Sequence, residues 1–361
     1  MTKKSEKKPK ICLIYTGGTI AMEKRGGRLV PPEDPKKFIK EKVTPGLEEI
    51  VDFDFYVVLN KDSTNMNPGD WTKIANTVFE KRKELGFERF VIMHGTDTMH
   101  FSSSALAFAF GKKLNFPIVF TGAQTIPMIT HGDARINLLR ACKVAMTDLA
   151  EVVVSFGDYI FRGCRVQKKD ERRFDAFESP GYFPIGHISE EIELHPSAKT
   201  KKEEEGIDFE EKDFQPNFES GIFVVTLIPG LEPELVLPVI NEERCKGVML
   251  QSFGWGNVPN ERPYSFDRMI RYMVNKLNKP VIITSQFPAH TTLGSKYDPG
   301  LKAIKAGAIP TGNMTSAAAA VKFRWVLAQI KKEIVDKKLS ESDKIEEVRK
   351  RMQENYVREM D

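Results

Sequence analysis

Closely spaced cysteines are absent from this sequence. Its 361 residues include four cysteines, Cys12, Cys142, Cys164 and Cys245, and no two of them form a CxxC motif. A disulfide framework or a cysteine-ligated zinc site would need closer, paired spacing. The four side chains are most simply interpreted as buried thiols in a reducing compartment.

Long apolar runs are also absent. No stretch approaches the roughly 18 consecutive apolar residues that a membrane-spanning helix needs. The basic start MTKKSEKKPK is followed by ICLIY at residues 11–15, which is shorter than the apolar run of a secretory signal. We therefore expect a cytoplasmic protein with no membrane partner.

A large charge imbalance is missing as well. The net charge of +4 comes from 54 basic and 50 acidic residues, and five of the lysines lie among the first ten residues. Without this tail the chain is close to neutral, which argues against a nucleic-acid partner. Its 41% hydrophobic content and 24 phenylalanines exclude a disordered chain. A length of 361 residues indicates about two domains.

Short apolar runs alternate with amphipathic ones along most of the chain. The first part has predicted strands at residues 10–15, 55–59, 90–93, 117–120 and 152–155, and predicted helices at 68–85, 98–114 and 133–149. The second part has predicted strands at 222–228, 247–251 and 281–285, and predicted helices at 231–240, 264–277 and 315–330. This alternation predicts two α/β domains with mostly parallel sheets.

The clearest change of composition lies between residues 196 and 218, where charged residues dominate and the apolar residues show no periodic spacing. We expect a larger N-terminal domain at 10–197, a charged linker at 198–218 and a C-terminal domain at 219–361. The last segment carries a stripe that includes Val348 and Met352, which predicts a helix laid on the second domain.

Three predicted strands of the first domain end in small, hydroxyl-rich turns. They are TGGT at residues 16–19, HGTDT at 94–98 and TGAQ at 121–124. Ligands of open parallel sheets bind outside the carboxyl ends of the strands, so we expect these turns to line one crevice. Glycine permits close backbone approach, and threonine supplies a hydroxyl that can attack or donate. The alternative for each threonine is to cap the helix that follows.

Several common motifs are missing. The chain has no P-loop, no GxGxxG after a strand, no GxSxG elbow and no HExxH. Its six histidines are scattered, and none has another ligand at metal-binding spacing. We interpret His94 as an orienting or buried imidazole in its turn rather than as a metal ligand.

These turns and several other segments resemble the bacterial-type L-asparaginases. TGGTIA at residues 16–21 and HGTDT at 94–98 look like the two signature segments of that family. The resemblance continues through DSTNM at 62–66, TGAQ at 121–124, FRGCRVQK at 161–168, FDAF at 174–177, GWGN at 254–257 and NMTS at 313–316. The ending VREM at 357–360 is similar to that of the cytoplasmic type I branch. The resemblance thus runs from about residue 10 to the C-terminus.

The resemblance implies a reaction and a set of catalytic residues. Thr19 would attack the side-chain amide of L-asparagine, giving an acyl-enzyme and ammonia. Thr96, Lys168 and Asp97 would form a polar chain that activates the water releasing aspartate. Glutamine would be a poorer substrate, because its amide carbon is displaced by one methylene.

The resemblance also implies substrate contacts and an assembly. Asp97, Ser63 and Thr64 would hold the α-amino and α-carboxylate groups, and Gly18, Gly95 and Ala123 would complete the pocket. Backbone N–H groups at the turn of Thr96 would stabilise the oxyanion. A homodimer or homotetramer is implied, with Asn257 from the second domain of a neighbour completing the site. No metal and no organic cofactor is implied.

The sequence departs from the family pattern at several positions. The flexible loop after Thr19 usually carries a tyrosine, but no tyrosine lies between Tyr15 and Tyr56. Thr64 stands where several relatives have glutamine. Gln251 stands where a relative with an allosteric asparagine site has arginine, which argues against asparagine-driven activation.

Two other interpretations remain. One is the amidase subunit that supplies ammonia for tRNA amidation in archaea. Those subunits carry an extra N-terminal domain, whereas about nine residues precede the first predicted strand here. The other is a non-catalytic amino-acid-binding or sensing homologue that has lost the lid tyrosine.

Overall fold

Strands and helices alternate along the chain, as the sequence predicts. The computed structural model describes residues 8–202, 209–287 and 297–361. They form two compact units: the first contains the chain up to Ser179 together with Phe183–Phe214, and the second contains Gln215–Asp361 together with Pro180–Tyr182. The predicted two-domain α/β fold with mostly parallel sheets is confirmed.

The first unit contains a large sheet, two small strand pairs and four α-helices among its described residues. Its strands are β1 (Lys10–Tyr15), β2 (Glu23–Arg25), β3 (Arg28–Val30), β4 (Asp52–Val57), β5 (Phe90–Met93), β6 (Ile118–Thr121), β7 (Val152–Phe156), β8 (Tyr159–Arg162), β9 (Gln167–Lys168), β10 (Phe177–Glu178), β11 (Gly186–Ile188) and β12 (Ile192–Leu194). Its helices are α1 (Pro35–Lys42), α2 (Pro68–Leu85), α3 (Met99–Phe110) and α4 (Ala134–Ala145).

The large sheet has the strand order β12-β11-β8-β7-β6-β5-β1-β4. Strands β4, β1, β5, β6 and β7 run parallel, and each pairing from β7 through β8 and β11 to β12 is antiparallel. The sequence analysis missed β8, β11 and β12. Gly157, with a φ of 58°, lies in the turn between β7 and β8. The two strands therefore form a hairpin, and no crossover helix separates them.

The core of the first unit lies along the middle strands. Every residue of β5 and β6 is buried, as expected for a parallel sheet that is covered on both faces. Helix α3 is also almost wholly buried and ends at Gly111, whose positive φ of 68° stops the helix before the predicted end at residue 114. The predicted helix at residues 68–85 is confirmed as α2.

The second unit is built on a parallel sheet with the order β13-β14-β15-β16. Its strands are β13 (Ile222–Thr226), β14 (Gly247–Ser252), β15 (Val281–Ser285) and β16 (Ile309–Pro310), and its helices are α5 (Leu237–Asn241), α6 (Asp267–Asn275), α7 (Asp298–Lys305), α8 (Ser316–Val335) and α9 (Lys344–Gln353). The predicted continuous helix at residues 231–240 is wrong. Pro233 and Pro238 each lack a backbone N–H donor, and the segment forms a short 3-10 turn followed by α5.

Part of the predicted charged linker packs on the first unit. The ring of Phe214 stacks on that of Phe79 with 4.5 Å between centroids, and Phe209 lies 5.6 Å from Phe110. Residues 203–208 of the linker, and residues 1–7 of the lysine-rich tail, lie outside the described part of the chain.

The helices were also compared with the length and apolar character of membrane-spanning helices. None of the helices within residues 8–202, 209–287 and 297–361 combines the length and the apolar character that crossing a bilayer requires.

Candidate active site

The predicted turns at the carboxyl ends of β1 and β5 touch each other through glycine backbones. Gly18 has a φ of 96°, and a Cβ built on it would lie 2.5 Å from the Cα of Gly95. A side chain at this position would therefore collide with backbone that cannot move aside. Thr19 follows directly and begins the 3-10 helix Thr19–Ala21. The contact brings the segment of Thr19 against the segment of Thr96.

A third segment, which carries Ser63 and Thr64, reaches the same place from the end of β4. A Cβ on Gly95 would lie 2.5 Å from the Ser63 hydroxyl oxygen, and the Thr98 hydroxyl donates to the Ser63 carbonyl at 2.8 Å. Asp62 accepts the Thr64 backbone N–H at 2.8 Å. Ser63 is buried and Thr64 is exposed. The Ser63 segment thus lies against the HGTDT turn, and the substrate contacts of Ser63 and Thr64 stay predictions.

Lys168 joins two residues of the HGTDT turn. Its Nζ donates to the Thr96 Oγ1 at 2.7 Å and to the Asp97 Oδ1 at 2.6 Å. The Lys168 side chain is 12% exposed and that of Asp97 is 58% exposed, so the carboxylate faces the solvent side of the ion pair. Lys168 comes from β9, which pairs with β10 outside the large sheet. The structure thus brings Thr96, Lys168 and Asp97 together, and their catalytic roles stay predictions.

The turn after β6 supplies a residue that the sequence analysis did not select. The Thr96 hydroxyl donates to the Gln124 Oε1 at 3.2 Å. The Gln124 Nε2 donates to the carbonyls of Asp170 and Arg173 at 3.1 and 3.3 Å. Ala123, the neighbour of Gln124, is buried. The sequence signal that could have identified Gln124 was its place in the TGAQ segment, directly after a predicted strand.

Two histidines lie behind the turn of Thr96. The Nδ1 of His94 lies 2.7 Å from the carbonyl oxygen of Gly95, which can only accept, so Nδ1 carries the proton. Burial lowers the pKa of His94 to about 4. Burial, with Lys168 as the next cause, lowers the pKa of His100 to about 4. Both imidazoles are therefore neutral at pH 7, in keeping with the buried, orienting role predicted for His94.

The segment that follows Thr19 forms the hairpin β2–β3. Gly26 and Gly27, with φ values of 58° and 80°, make its turn. Arg25, at the turn end of the hairpin, forms an ion pair with Glu33 at 2.9 Å. The segment in which the resemblance led us to expect a tyrosine is thus a hairpin without one.

Asn257 belongs to the second unit, after the end of β14. Its backbone N–H donates to the carbonyl of Phe253 at 2.8 Å and closes a tight turn. Its Oδ1 is buried and has no hydrogen-bond partner among the described residues. The predicted contribution of Asn257 to the site of a neighbouring copy stays a prediction.

Acidic, cysteine and histidine side chains are the usual protein ligands of metal ions. Within the described part of the chain, no three such residues come together in a way that could hold an ion. The expected absence of a cofactor remains an expectation from the sequence.

The chain matches two protein-family models. The model "Asparaginase, N-terminal" matches residues 10–200, and the model "Glutaminase/Asparaginase C-terminal domain" matches residues 221–336. The first match contains the TGGT, HGTDT and TGAQ turns, the Ser63–Thr64 segment and Lys168, and the second lies within the second unit.

Comparisons with individual proteins give two kinds of relative. A glutamyl-tRNA(Gln) amidotransferase subunit of Methanosarcina mazei is 34% identical over 333 residues, which cover 89% of this chain and 74% of that protein. L-asparaginase of Thermococcus kodakarensis is 30% identical over 356 residues, which cover 97% and 99%.

Two solved structures extend this similarity to the fold. The thermostable L-asparaginase of Thermococcus kodakarensis aligns with a TM-score of 0.80 at 29% identity, covering 98% of this chain and 99% of that one. L-asparaginase I of Vibrio cholerae aligns with a TM-score of 0.81 at 28% identity, covering 99% and 100%.

Proposed function

The chain belongs to the asparaginase family, and from this premise we propose that it is an L-asparaginase that hydrolyses L-asparagine to L-aspartate and ammonia. The observation that carries the proposal is the Thr96–Lys168–Asp97 chain, because it places a hydroxyl, an ammonium and a carboxylate within hydrogen-bond distance at the carboxyl edge of the sheet. The roles below are proposed on that geometry.

In the proposed first step, Thr19 is the nucleophile. Its Oγ1 forms a bond to the side-chain amide carbon while its proton passes to the leaving nitrogen, and the C–N bond breaks to release ammonia. The product is an aspartyl ester of Thr19. Backbone N–H groups of the neighbouring turn would stabilise the oxyanion, which is typically worth about 10²–10³ in rate per donor.

In the proposed second step, water attacks the ester carbonyl and the Thr19 oxygen leaves as the hydroxyl. A proton of the water would pass by way of Thr96 and Lys168 to the leaving Thr19 oxygen, so that Lys168 ends the step as the donor to Thr96 that the structure shows. Asp97 would hold the Nζ in place during both steps.

Asparagine would be held at its two α-groups. The exposed Asp97 carboxylate suits an α-ammonium group, while the Ser63 and Thr64 hydroxyls can donate to an α-carboxylate. Glutamine is longer by one methylene, which displaces its amide carbon by more than about 1 Å and can cost about 10²-fold in rate.

Ammonia release by the purified protein tests the proposal. We expect release from millimolar asparagine, and a loss of at least about 10³-fold in Thr19→Ala because the nucleophile is removed. The control is Thr130→Ala, which makes the same change at an exposed position. Binding of aspartate, measured by calorimetry, shows that the Thr19→Ala pocket is intact. Aspartate binding without any turnover by the wild-type protein would instead support a non-catalytic binding protein.

The second candidate is a subunit of a glutamyl-tRNA(Gln) amidotransferase. It is favoured by the 34% identity to the amidotransferase subunit of Methanosarcina mazei, which exceeds the 30% identity to the Thermococcus kodakarensis L-asparaginase. Separate kcat/KM values for asparagine and glutamine distinguish the two. An asparaginase prefers asparagine by about 10²-fold. A preference for glutamine, with hydrolysis stimulated by glutamyl-tRNA(Gln) and a partner protein, would support the amidotransferase.

Assembly as a homodimer or homotetramer and a cytoplasmic location are also proposed. Light scattering after size-exclusion chromatography measures the mass in solution. If Asn257 contributes to the site of a neighbouring copy, Asn257→Ala should raise the KM for asparagine without changing that mass.

A further inference from the structure

Gln124 links the Thr96 hydroxyl to a loop that is distant in sequence. Its amide oxygen accepts from Thr96 at 3.2 Å, and its amide nitrogen donates to the Asp170 and Arg173 carbonyls at 3.1 and 3.3 Å. The loop that contains these carbonyls begins two residues after Lys168. Gln124 therefore contacts the polar chain on one side and the segment that follows Lys168 on the other.

The two ends of the Gln124 amide cannot be exchanged. Backbone carbonyls only accept hydrogen bonds, so the NH₂ group must face Asp170 and Arg173, and the oxygen is then left facing Thr96. Because an amide oxygen also only accepts, Thr96 must give its proton to Gln124. The Thr96 lone pairs are then directed to Lys168, whose Nζ donates at 2.7 Å. Every group in this series has one assigned hydrogen-bonding role.

The backbone of Gln124 is held independently of its side chain. Its N–H donates to the Asp133 carboxylate at 2.9 Å, and the same carboxylate accepts the Thr125 N–H at 3.0 Å and the Asn137 amide at 3.1 Å. Asp133 is buried. Because the turn is anchored in this way, replacing the side chain of Gln124 should leave its backbone in place.

We infer that Gln124 is a positioning residue that holds the Thr96 Oγ1 beside Lys168 by tethering it to the Asp170–Arg173 carbonyls. The inference rests on the proposed function, in which Thr96 relays a proton during ester hydrolysis. Gln124 does not contact the reacting atoms. Its effect is on kcat, because the tether keeps the Thr96 Oγ1 within 2.7 Å of the Lys168 Nζ, and not on the binding of asparagine at its α-groups.

The kinetic test uses Gln124→Met, which keeps the length of the side chain and removes its hydrogen bonds. We expect kcat for asparagine to fall by about tenfold, since a small displacement of a catalytic group lowers the rate steeply. The KM and the aspartate dissociation constant should stay within about twofold of the wild type, because the α-group contacts are untouched. The matched control is Gln167→Met, which makes the same change beside Lys168 on β9.

Site-resolved proteolysis gives a readout that does not depend on turnover. The side chains of Arg172 and Arg173 are 85% and 67% exposed, so trypsin can act in this loop. Mass spectrometry should show faster cleavage after both arginines in Gln124→Met than in the wild type and Gln167→Met. Cleavage after Arg268 in the second unit is the internal reference.

Each outcome has a defined meaning. A lower kcat with unchanged KM and faster loop cleavage supports the inference. Equal kcat values, or an equal loss in Gln167→Met, overturn the positioning role even if asparagine is hydrolysed. Unchanged cleavage overturns the tether. A wild-type protein that releases no ammonia overturns the proposed function and with it the kinetic role of Gln124, while altered cleavage would still show the tether.

Discussion

At the scale of one residue, His94 shows how burial keeps a titratable side chain neutral. Its ring is fully buried beside Phe120, with 5.9 Å between the ring centroids, and its Nδ1–H is committed to the carbonyl of Gly95. Its Nε2 is buried and has no hydrogen-bond partner among the described residues. Protonation would place a charge at that nitrogen without a partner, which is why the native state disfavours it.

This burial predicts a pH-dependent stability. The pKa of His94 falls from 6.5 to about 4 on folding, so between these values the unfolded chain binds a proton that the native state does not. The free energy of unfolding should therefore decrease as the pH falls from 6.5 to 4, by on the order of 3 kcal/mol from this group. It should be independent of His94 above pH 6.5. Urea denaturation at several pH values measures the slope.

The control for this prediction is His94→Asn, which keeps a donor for the Gly95 carbonyl and does not titrate. Its slope between pH 6.5 and 5 should be shallower than that of the wild type. His131→Asn, at an exposed position, leaves the buried imidazoles in place. Equal slopes in His94→Asn and the wild type would show that His94 is not the group responsible. His100, with a pKa lowered in the same direction, accounts for part of the remaining slope.

At the scale of elements, helix α2 shows how local signals define an end. The Asn67 side chain accepts the N–H groups of Gly69 and Asp70 at 3.0 and 3.3 Å, and the Asp70 carboxylate accepts the Asn67 N–H at 3.0 Å. Asp70 also forms an ion pair with Lys61 at 2.5 Å, shortly before the Ser63 turn. The start of α2 thus also contacts the residue two positions before Ser63, in the segment proposed to bind substrate.

Asn67→Ala should lower the free energy of unfolding by about 1 kcal/mol, because two N–H groups of the first turn lose their acceptor. Asn67→Ser is the matched control, since serine still caps and should cost only a few tenths of a kcal/mol. Urea denaturation at pH 7 measures both. Equal stability of the alanine and serine variants would contradict the capping role.

The same contrast between local and distant signals explains how much of the fold was predictable. The capping sequence before α2 and Gly86 after it are both local, and the helix has the predicted bounds. The segment at 231–240 has an apolar pattern that suggests a helix, but its prolines override that pattern. Strand β8 follows a hairpin turn, so an expectation of alternating strands and helices passes over it.

The residues of the candidate site also differ in whether a local sequence pattern could predict them. The turns of Thr19 and Thr96 were predictable because each follows a recognisable strand, and strands of a parallel sheet end at one edge. Gln124 was not selected, because its role depends on carbonyls at residues 170 and 173, which the sequence does not show to be near it. Contacts of this kind arise from the tertiary fold rather than from a local pattern.

At the scale of the whole chain, the C-terminal residues are part of a core. The side chains of Lys322 in α8 and Glu359 are 0% exposed and form an ion pair at 2.5 Å. Lys322 also donates to the carbonyls of Met352 and Glu354, and Glu359 accepts the backbone N–H groups of Tyr356 and Val357. The pair therefore joins α8, the end of α9 and the final residues of the chain.

Removing one member of this pair should be far more damaging than removing both. Lys322→Met leaves the Glu359 carboxylate buried without its partner and should lower the free energy of unfolding by about 3–5 kcal/mol. Adding Glu359→Gln removes the unpaired charge and keeps an acceptor for the N–H groups, so the double variant should recover much of the loss. Lys302→Met is the control, because its ion pair with Asp298 is exposed and worth at most about 1 kcal/mol. Urea denaturation measures the free energy of unfolding of each variant. Equal decreases for Lys322→Met and Lys302→Met would contradict a special role of the buried Lys322–Glu359 pair.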